Sequence, residues 1–328
     1  MFNPNIGSPL LALIGLKSYF MYIPLAFLMP YLFRSREELI RQLSYYALLA
    51  TPICLLGFLQ WKSDRFSVLN TFAAGMKETG AVGFGFGDRA RITGTFSYIT
   101  GHSTFVLFFT SLHIALLLAK QSKWLRVWLL LNLPLLIANG LMNGSRAGIY
   151  AIAMILGGVL LFSTTYKLGS NLKMLINLGF AGIAVAIGAA YYFSDALLMW
   201  STRTKVTGDS FQSRVIDQAQ VAYEMALRNV PLTGYGLVTS IPVTKQMRAF
   251  FGIPPPKEPP PPMDHEMTQI AVELGFVCAL AWYAMRLLML ATSFRAFRTC
   301  RNDDLRPLIL VGFLIQIPYL YLSVVINH

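Results

Sequence analysis

Long apolar runs separated by short basic connectors constrain the fold of this chain more than any other feature. A helix needs about 20 mostly apolar residues to cross the hydrocarbon core of a bilayer. The runs lie near 18–33, 43–61, 103–119, 124–142, 147–163, 173–193, 269–291 and 307–326. Because lipid cannot satisfy backbone polar groups, such runs form helices. The sequence therefore predicts an all-α, polytopic transmembrane helical bundle of about eight spans.

The charge of the chain fits a membrane protein better than a nucleic-acid-binding protein. The net charge is +12, but charged residues make up only 13% of the sequence, about half the share typical of a soluble domain. The basic residues occupy connectors between apolar runs, as the topology of membrane proteins requires. We therefore predict contact with membrane lipids and no nucleic-acid partner. The three cysteines show no pairing or metal-ligand spacing, so neither a disulfide framework, a metal site nor a cofactor is predicted.

Every second connector is rich in arginine and lysine, which predicts the orientation of the spans. Basic connectors mark the cytoplasmic side, whereas long loops carry little weight in this rule. The two long loops, about 62–102 and 194–268, then lie outside. The predicted organisation is transmembrane helices over 1–193 with the outer loop 62–102, a large outer loop over 194–268, and transmembrane helices over 269–328. This orientation leaves the start of the chain outside, so either N-terminal helices are missing or residues 1–16 dip into the membrane.

The large outer loop contains a predicted amphipathic helix of about five turns, from Asp209 to near Pro231. Apolar residues recur there at helical spacing, and the helix is expected to lie along the membrane interface. Arg214 falls in its first turn, where the helix dipole disfavours a cation unless an anion faces it. A proline-rich arm over 254–262 follows and leads to Asp264 and His265.

Two further arginines are candidate anion ligands. Arg146 follows Asn143-Gly-Ser at the predicted outer end of a span, where backbone amides and a guanidinium would together bind an anion. The alternative is a surface arginine that extends to the interface. Arg91, just before another span, would contact either a phosphate or lipid headgroups. His265 is the one histidine of the large loop, and the alternative to a chemical role is a solvent-exposed or structural residue.

The order of these motifs resembles the family of O-antigen ligases and polysaccharide polymerases. The shared pattern covers roughly 85–290 and consists, in chain order, of Arg91-Ile-Thr-Gly94, Asn143-Gly-Ser-Arg146, Arg214, Pro231-Leu-Thr-Gly234-Tyr-Gly236, His265, and Glu273-Leu-Gly275. No single motif is specific, but their order and spacing together are. The family often has His-Asn at a set distance before Glu-x-Gly. Counting back from Glu273 places Asp264 at the histidine position, so either residue, or both, is the candidate base.

The resemblance implies a multi-pass glycosyltransferase of the bacterial inner membrane with its active face in the periplasm. Such enzymes take glycan from an undecaprenyl-diphosphate carrier and use no metal. By resemblance, Arg146 and Arg214 bind the diphosphate, Arg91 is a weaker candidate, and His265 or Asp264 activates the acceptor hydroxyl. The implied partners are the lipid-linked donor, a glycan or lipid-linked acceptor, and components of a polysaccharide export system.

Two other classes of function are compatible with the spans. A transporter or flippase of lipid-linked glycans places ionisable groups near the middle of the membrane and often shows repeated halves. The middles of the predicted spans are nearly free of charge, and no repeat is evident. A non-catalytic scaffold would use the proline-rich arm as a partner ligand.

Overall fold

The computed structural model describes most of the predicted helical regions. The described residues are 3, 6–21, 23–71, 81, 83, 89–119, 121–165, 194, 198, 217, 220–221, 223–224, 230–237, 239, 242–256, 259–260 and 266–321. Within this part of the chain the only regular elements are helices, so the all-α prediction is confirmed there. The predicted span at 173–193 and most of the predicted amphipathic helix lie outside the described residues.

Eleven helices are present among the described residues. They are α1 Pro9–Phe20, α2 Ile23–Leu32, α3 Arg36–Leu48, α4 Ala50–Lys62, α5 Ile99–Leu118, α6 Lys123–Asn143, α7 Arg146–Thr165, α8 Pro242–Phe250, α9 Glu266–Thr299, α10 Leu305–Gln316 and α11 Pro318–Tyr321. Five helical stretches in the described ranges are long and apolar enough to cross a membrane: Arg36–Lys62, Ile99–Leu118, Lys123–Asn143, Arg146–Ser163 and Glu266–Thr299. The apolar runs predicted at 18–33 and 307–326 fall on shorter helices.

The chain divides into two compact units. One contains Met1–Arg36, Ser210–Met289 and Val325–His328, and the other contains Glu37–Asp209 and Leu290–Val324. In the second unit α5 packs against α6, α7 and α10, and α4 packs against α6. Helix α5 is mostly apolar and is the most enclosed of the candidate spans, as expected for the central helix of a bundle.

Helices α6 and α7 form a hairpin with a very short turn. Helix α6 ends because Gly144 adopts a left-handed conformation, with φ of 69°, and its N–H donates to Leu141 O at 3.0 Å. Ser145 then starts α7, since its hydroxyl accepts the N–H of Gly148 at 3.4 Å. The turn therefore holds Arg146 as the first residue of α7.

Helix α9 is not the single straight span that 269–291 predicts. Its backbone leaves the helical region at Gly275, where φ is 77° and ψ is 167°. Arg286 Nη2 nevertheless donates to Glu266 Oε1 at 2.5 Å, although 20 residues of continuous helix would separate the two positions by about 30 Å. Residues 266–274 therefore fold back beside the helix that begins at 276. We call these two segments the short arm and the long arm.

Candidate functional site

The turn between α6 and α7 gathers two of the predicted site residues. Arg146 and Arg91 are each only 6% exposed, and Arg91 Nε donates to Asn143 O at 2.8 Å. Asn143 O is a carbonyl at the C-terminus of α6, where the helix dipole favours a cation. Arg146 instead begins α7, whose first turn has no acidic side chain. The dipole of its own helix disfavours a cation at that position.

The segment that carries Arg91 is fixed by an amide side chain from α4. Gln60 Oε1 accepts the N–H groups of Thr93 and Gly94, at 3.2 and 2.7 Å. Gln60 Nε2 donates to Gly94 O at 3.0 Å. A buried amide with both ends bonded to one backbone segment holds that segment strongly. The loop residues 91–94 are therefore anchored to the helices.

Asn143 fixes the same segment from the opposite helix. Its Nδ2 donates to Ile92 O at 2.9 Å and to Ile99 O at 2.8 Å. Asn143 is fully buried, and its own backbone oxygen is the acceptor for Arg91. The motifs Arg91-Ile-Thr-Gly94 and Asn143-Gly-Ser-Arg146, more than 50 residues apart in sequence, thus form one hydrogen-bonded structure.

His102 belongs to the packing of this structure. Asn139 Nδ2 donates to Cys54 O and Leu135 O, at 3.2 and 2.9 Å. Its Oδ1 therefore faces His102 Nε2, at 3.2 Å, and His102 donates. His102 is fully buried. His113, also buried, donates from Nδ1 to Phe109 O at 2.7 Å.

Replacing Gly57 with alanine is expected to destabilise the protein by about 2 kcal/mol, because inserting a methyl into a filled core costs about 1–3 kcal/mol. A Cβ there would lie 2.1 Å from Asn139 Oδ1 and 2.9 Å from Ile92 Cδ1. The measurement is the free energy of unfolding in detergent. Gly157→Ala is the matched control, since a Cβ at Gly157 of α7 meets nothing within 4 Å. Equal stability of the two variants would contradict this packing.

The other compact unit joins two further motifs. Tyr235 N–H donates to Val272 O at 2.8 Å, and Gly236 N–H donates to Glu273 O at 3.1 Å. These bonds attach the loop Pro231–Gly236 to the end of the short arm. A Cβ on Gly234 would lie 2.4 Å from Glu273 O. Two motifs about 40 residues apart in sequence therefore require glycine because their backbones touch.

Glu273 is held by side chains on both of its oxygens. Tyr19 OH of α1 donates to Oε2 at 2.8 Å, and Gln269 Nε2 donates to Oε1 at 3.3 Å. Glu273 is 1% exposed. Its sequence offers two interpretations, an interfacial residue or the partner of an arginine. In the structure it accepts hydrogen bonds from a phenol and an amide.

Arg248 of α8 secures the start of the proline-rich arm. Its Nη2 donates to Ile6 O at 2.8 Å, and its Nη1 donates to Pro254 O. Burial lowers the pKa of the Arg248 guanidinium from its usual value, but an arginine remains charged at any physiological pH. The arm therefore begins at a backbone position tied to the N-terminal segment.

Three predicted site residues, Arg214, Asp264 and His265, lie outside the described residues, so their roles stay predictions. Among the residues that are described, no group of three or more His, Cys, Asp or Glu side chains lies together in a way suited to a metal ion.

Sequence reasoning missed the buried amide side chains of this region, of which Asn143 and Gln60 anchor the arginine segment. A signal for those in α6 exists, because Asn132, Asn139 and Asn143 recur at spacings of seven and four. Such spacing places them on one face of a helix. Polar side chains inside transmembrane helices are rare and usually have a structural or functional role. Gln60, near the end of another run, gives the same kind of signal.

Comparison with known proteins agrees with the motif order. Residues 131–283 match the family model described as O-antigen ligase. The matched range includes Arg146, Arg214, Asp264 and His265, and Arg91 lies before it. No curated protein and no solved structure matches the chain. The family resemblance predicted over roughly 85–290 is therefore confirmed over 131–283.

Proposed function

Residues 131–283 carry an O-antigen ligase domain, and from that premise we propose that this membrane protein transfers glycan from an undecaprenyl-diphosphate carrier to an acceptor hydroxyl at the periplasmic face of the inner membrane. The domain and the apolar helices support a membrane glycan ligase or polymerase. The proposal adds three points to this: the undecaprenyl-diphosphate carrier, the periplasmic face and a metal-independent mechanism.

The burial of Arg91 and Arg146 at one turn is the observation that carries this proposal. Removing a guanidinium group from water is costly unless an anion or a set of acceptors compensates it. A diphosphate has several oxygens that accept paired N–H donors. Arg146 is the stronger candidate for direct contact with the phosphate, because it is the first residue of α7, where backbone N–H groups and the guanidinium would bind the same anion.

The proposed reaction is a displacement at the anomeric carbon of the donor sugar. The acceptor oxygen forms a new glycosidic bond to that carbon, and the bond between the carbon and the diphosphate oxygen breaks. His265, or Asp264 in its place, removes the hydroxyl proton of the acceptor. The released carrier diphosphate gains negative charge, which Arg146 and Arg214 would stabilise. The reaction then needs no oxidant and no further co-substrate.

Replacing Arg146 with alanine is expected to lower kcat about 10²–10³-fold, the usual effect of removing one donor that stabilises developing charge. Arg146→Lys is expected to recover only part of the loss, because an ammonium lacks the paired donors of a guanidinium. The assay uses purified protein, undecaprenyl-diphosphate oligosaccharide, and product sizing with and without a second acceptor.

Arg306→Ala is the matched control for this assay. Arg306 is a half-buried arginine of the same compact unit, stacked 5.2 Å above the ring centroid of Phe297, and its connector is predicted to be cytoplasmic. We expect this variant to keep its kcat. Longer glycans without an added acceptor indicate a polymerase, and transfer to the added acceptor indicates a ligase. Carrier movement across vesicles with no new glycosidic bond would instead support a flippase and refute the proposal.

A further inference from the structure

Gln60, in the last turn of α4, uses every hydrogen-bonding position of its side-chain amide. Its Oε1 accepts the N–H groups of Thr93 and Gly94. Its Nε2 donates to Gly94 O and, at 2.9 Å, to Leu69 O. A side-chain amide has two acceptor and two donor positions, so all four are occupied. Gln60 is also fully buried. This one side chain therefore joins the end of α4 to two separate segments of the loop that follows it.

The first of these segments is fixed to α4 by a second amide. Asn70 Nδ2 donates to Gln60 O at 3.0 Å and to Asp64 O at 2.9 Å, and Asn70 is itself buried. The turn 64–70 therefore folds back onto the end of the helix, where Leu69 O meets the Gln60 amide. Because this acceptor is held in place, the orientation of the Gln60 amide is defined before it meets the second segment.

The second segment carries Arg91. Two residues of extended backbone cover about 7 Å at most, so the bonds to Thr93 limit where Arg91 lies. On its other side, Arg91 Nε donates to Asn143 O at 2.8 Å, and Asn143 is three residues before Arg146. Gln60 from α4 and Asn143 from α6 therefore hold the Arg91 segment from two sides, next to the turn that begins with Arg146.

A fully bonded buried amide contributes more to accurate placement than to stability. Its hydrogen bonds replace bonds to water, so their net stabilisation is modest. Any shift of the segment, however, leaves a buried donor or acceptor without a partner, which penalises every other arrangement. A side chain that is already in its bound position also loses less conformational freedom when a ligand arrives. The bonds of Gln60 therefore suit a segment whose arginine has to be in place before it binds.

We propose that Gln60 is a positioning residue that holds Arg91 ready to bind the carrier diphosphate beside Arg146. This inference rests on the proposed function, which makes the diphosphate the ligand of that turn. Arg91 then contributes to the binding of the lipid-linked donor before any bond breaks. An interaction that is equally strong in the ground state and the transition state changes KM and leaves kcat unchanged. Gln60 acts on KM only through Arg91.

Gln60→Met is expected to raise KM for the lipid-linked donor about 10-fold at nearly unchanged kcat, because a hydrogen bond to a charged group contributes about that factor or more. Methionine has a similar size, so it removes the four hydrogen bonds without opening a large cavity. Arg91→Ala is expected to raise KM at least as much. In the Arg91→Ala background, Gln60→Met is expected to change KM no further, because both changes remove the same contact with the donor.

Gln60→Glu serves if the methionine variant does not fold. A carboxylate still accepts the N–H groups of Thr93 and Gly94 but cannot donate to Leu69 O or Gly94 O. Its rise in KM is therefore expected to be smaller than that of Gln60→Met, and it too is expected to vanish in the Arg91→Ala background.

Asn132→Leu is the matched control, because Asn132 is another buried amide between α4 and α6. Thr51 Oγ1 of α4 donates to its Oδ1 at 2.7 Å, and its Nδ2 donates to Trp128 O at 3.0 Å. It lies eleven residues before Asn143, about 16 Å away along the helix. We expect this variant to be less stable and to keep its KM. If Gln60 were only a structural contact, Gln60→Met would behave in the same way.

KM and kcat are measured on the full chain with undecaprenyl-diphosphate oligosaccharide, with Arg146→Ala in the same series. A rise in KM for Gln60→Met that disappears in the Arg91→Ala background, beside an unchanged KM for Asn132→Leu, supports the inference. If Arg91→Ala raises KM but Gln60→Met does not, or if Gln60→Met raises KM equally in both backgrounds, the positioning role is wrong and the proposed function stands.

The two arginine variants separate this inference from the function on which it rests. If Arg91→Ala keeps its KM while Arg146→Ala loses activity, Arg91 does not bind the donor, and only the inference fails. Full transfer by Arg146→Ala would overturn the proposed diphosphate site, and the inference fails with it.

Discussion

Replacing His265 with alanine is expected to lower kcat for glycosyl transfer about 10²–10⁴-fold, the contribution typical of a general base. A sugar hydroxyl is a weak acid and must lose its proton as it attacks. An imidazole ordinarily titrates close to neutral pH and accepts that proton. The His265→Ala change removes an imidazole group, so imidazole added to the assay is expected to restore part of the lost rate. The measurement is the initial rate of product formation at saturating donor.

Asp264 provides the competing assignment for the base. If the carboxylate is the base, Asp264→Ala loses more activity than His265→Ala, and imidazole restores neither. His113→Gln is a matched histidine control, because that side chain is buried in α5 and bonded to Phe109 O. We expect this control to keep its kcat. Full activity in both His265→Ala and Asp264→Ala would remove this dyad from the mechanism.

Replacing Gly275 with alanine is expected to destabilise the protein by about 3 kcal/mol or more, because positive φ and a backbone clash add together. A Cβ there would lie 2.2 Å from Leu232 O and 2.6 Å from Gly234 N. Both are backbone atoms and cannot rotate away. The φ of 77° is itself unfavourable for an L-residue. The measurement is the free energy of unfolding in detergent.

The Gly252→Ala variant separates the effect of positive φ from that of the backbone clash on the free energy of unfolding. Its φ is 63°, and a Cβ there meets nothing within 4 Å. Gly252→Ala is therefore expected to cost only the strain of a left-handed residue, about 1–2 kcal/mol. If Gly275→Ala were no less stable than Gly252→Ala, the close approach of the loop 231–236 to the short arm would be wrong.

Several features of the fold follow from the sequence because they are local. Apolar length and the scarcity of charge identify α5, α6 and α7 as spans, since insertion into lipid depends on the segment itself. The break at Asn143-Gly-Ser was sufficient to separate α6 from α7, because glycine readily takes the left-handed conformation that ends a helix. The motif order likewise indicated the family that residues 131–283 match.

The hairpin in α9 shows where local reasoning fails. The run 269–291 is apolar enough to be a single span, and one glycine within a span is usually tolerated. Gly275 breaks the helix here because the loop 231–236 offers backbone donors to Val272 and Glu273. That loop lies about 40 residues away in sequence. Nothing within the run itself distinguishes a straight helix from one that folds back.

Arg91 shows the same limit for the candidate site. Its sequence position allowed two kinds of partner, a phosphate or lipid headgroups. The structure adds a third partner, the Asn143 carbonyl, because the α6 terminus lies beside the loop.

By itself the sequence determined that the chain is helical and membrane-bound, and its resemblance to the family predicted which arginines and which dyad would carry the chemistry. These properties depend on residue type, length and order along the chain. The tertiary structure alone decided that Gln60 and Asn143 anchor the Arg91 segment, and that Glu266 meets Arg286. Those contacts join residues separated by 20 or more positions, and their geometry arises only when helices pack.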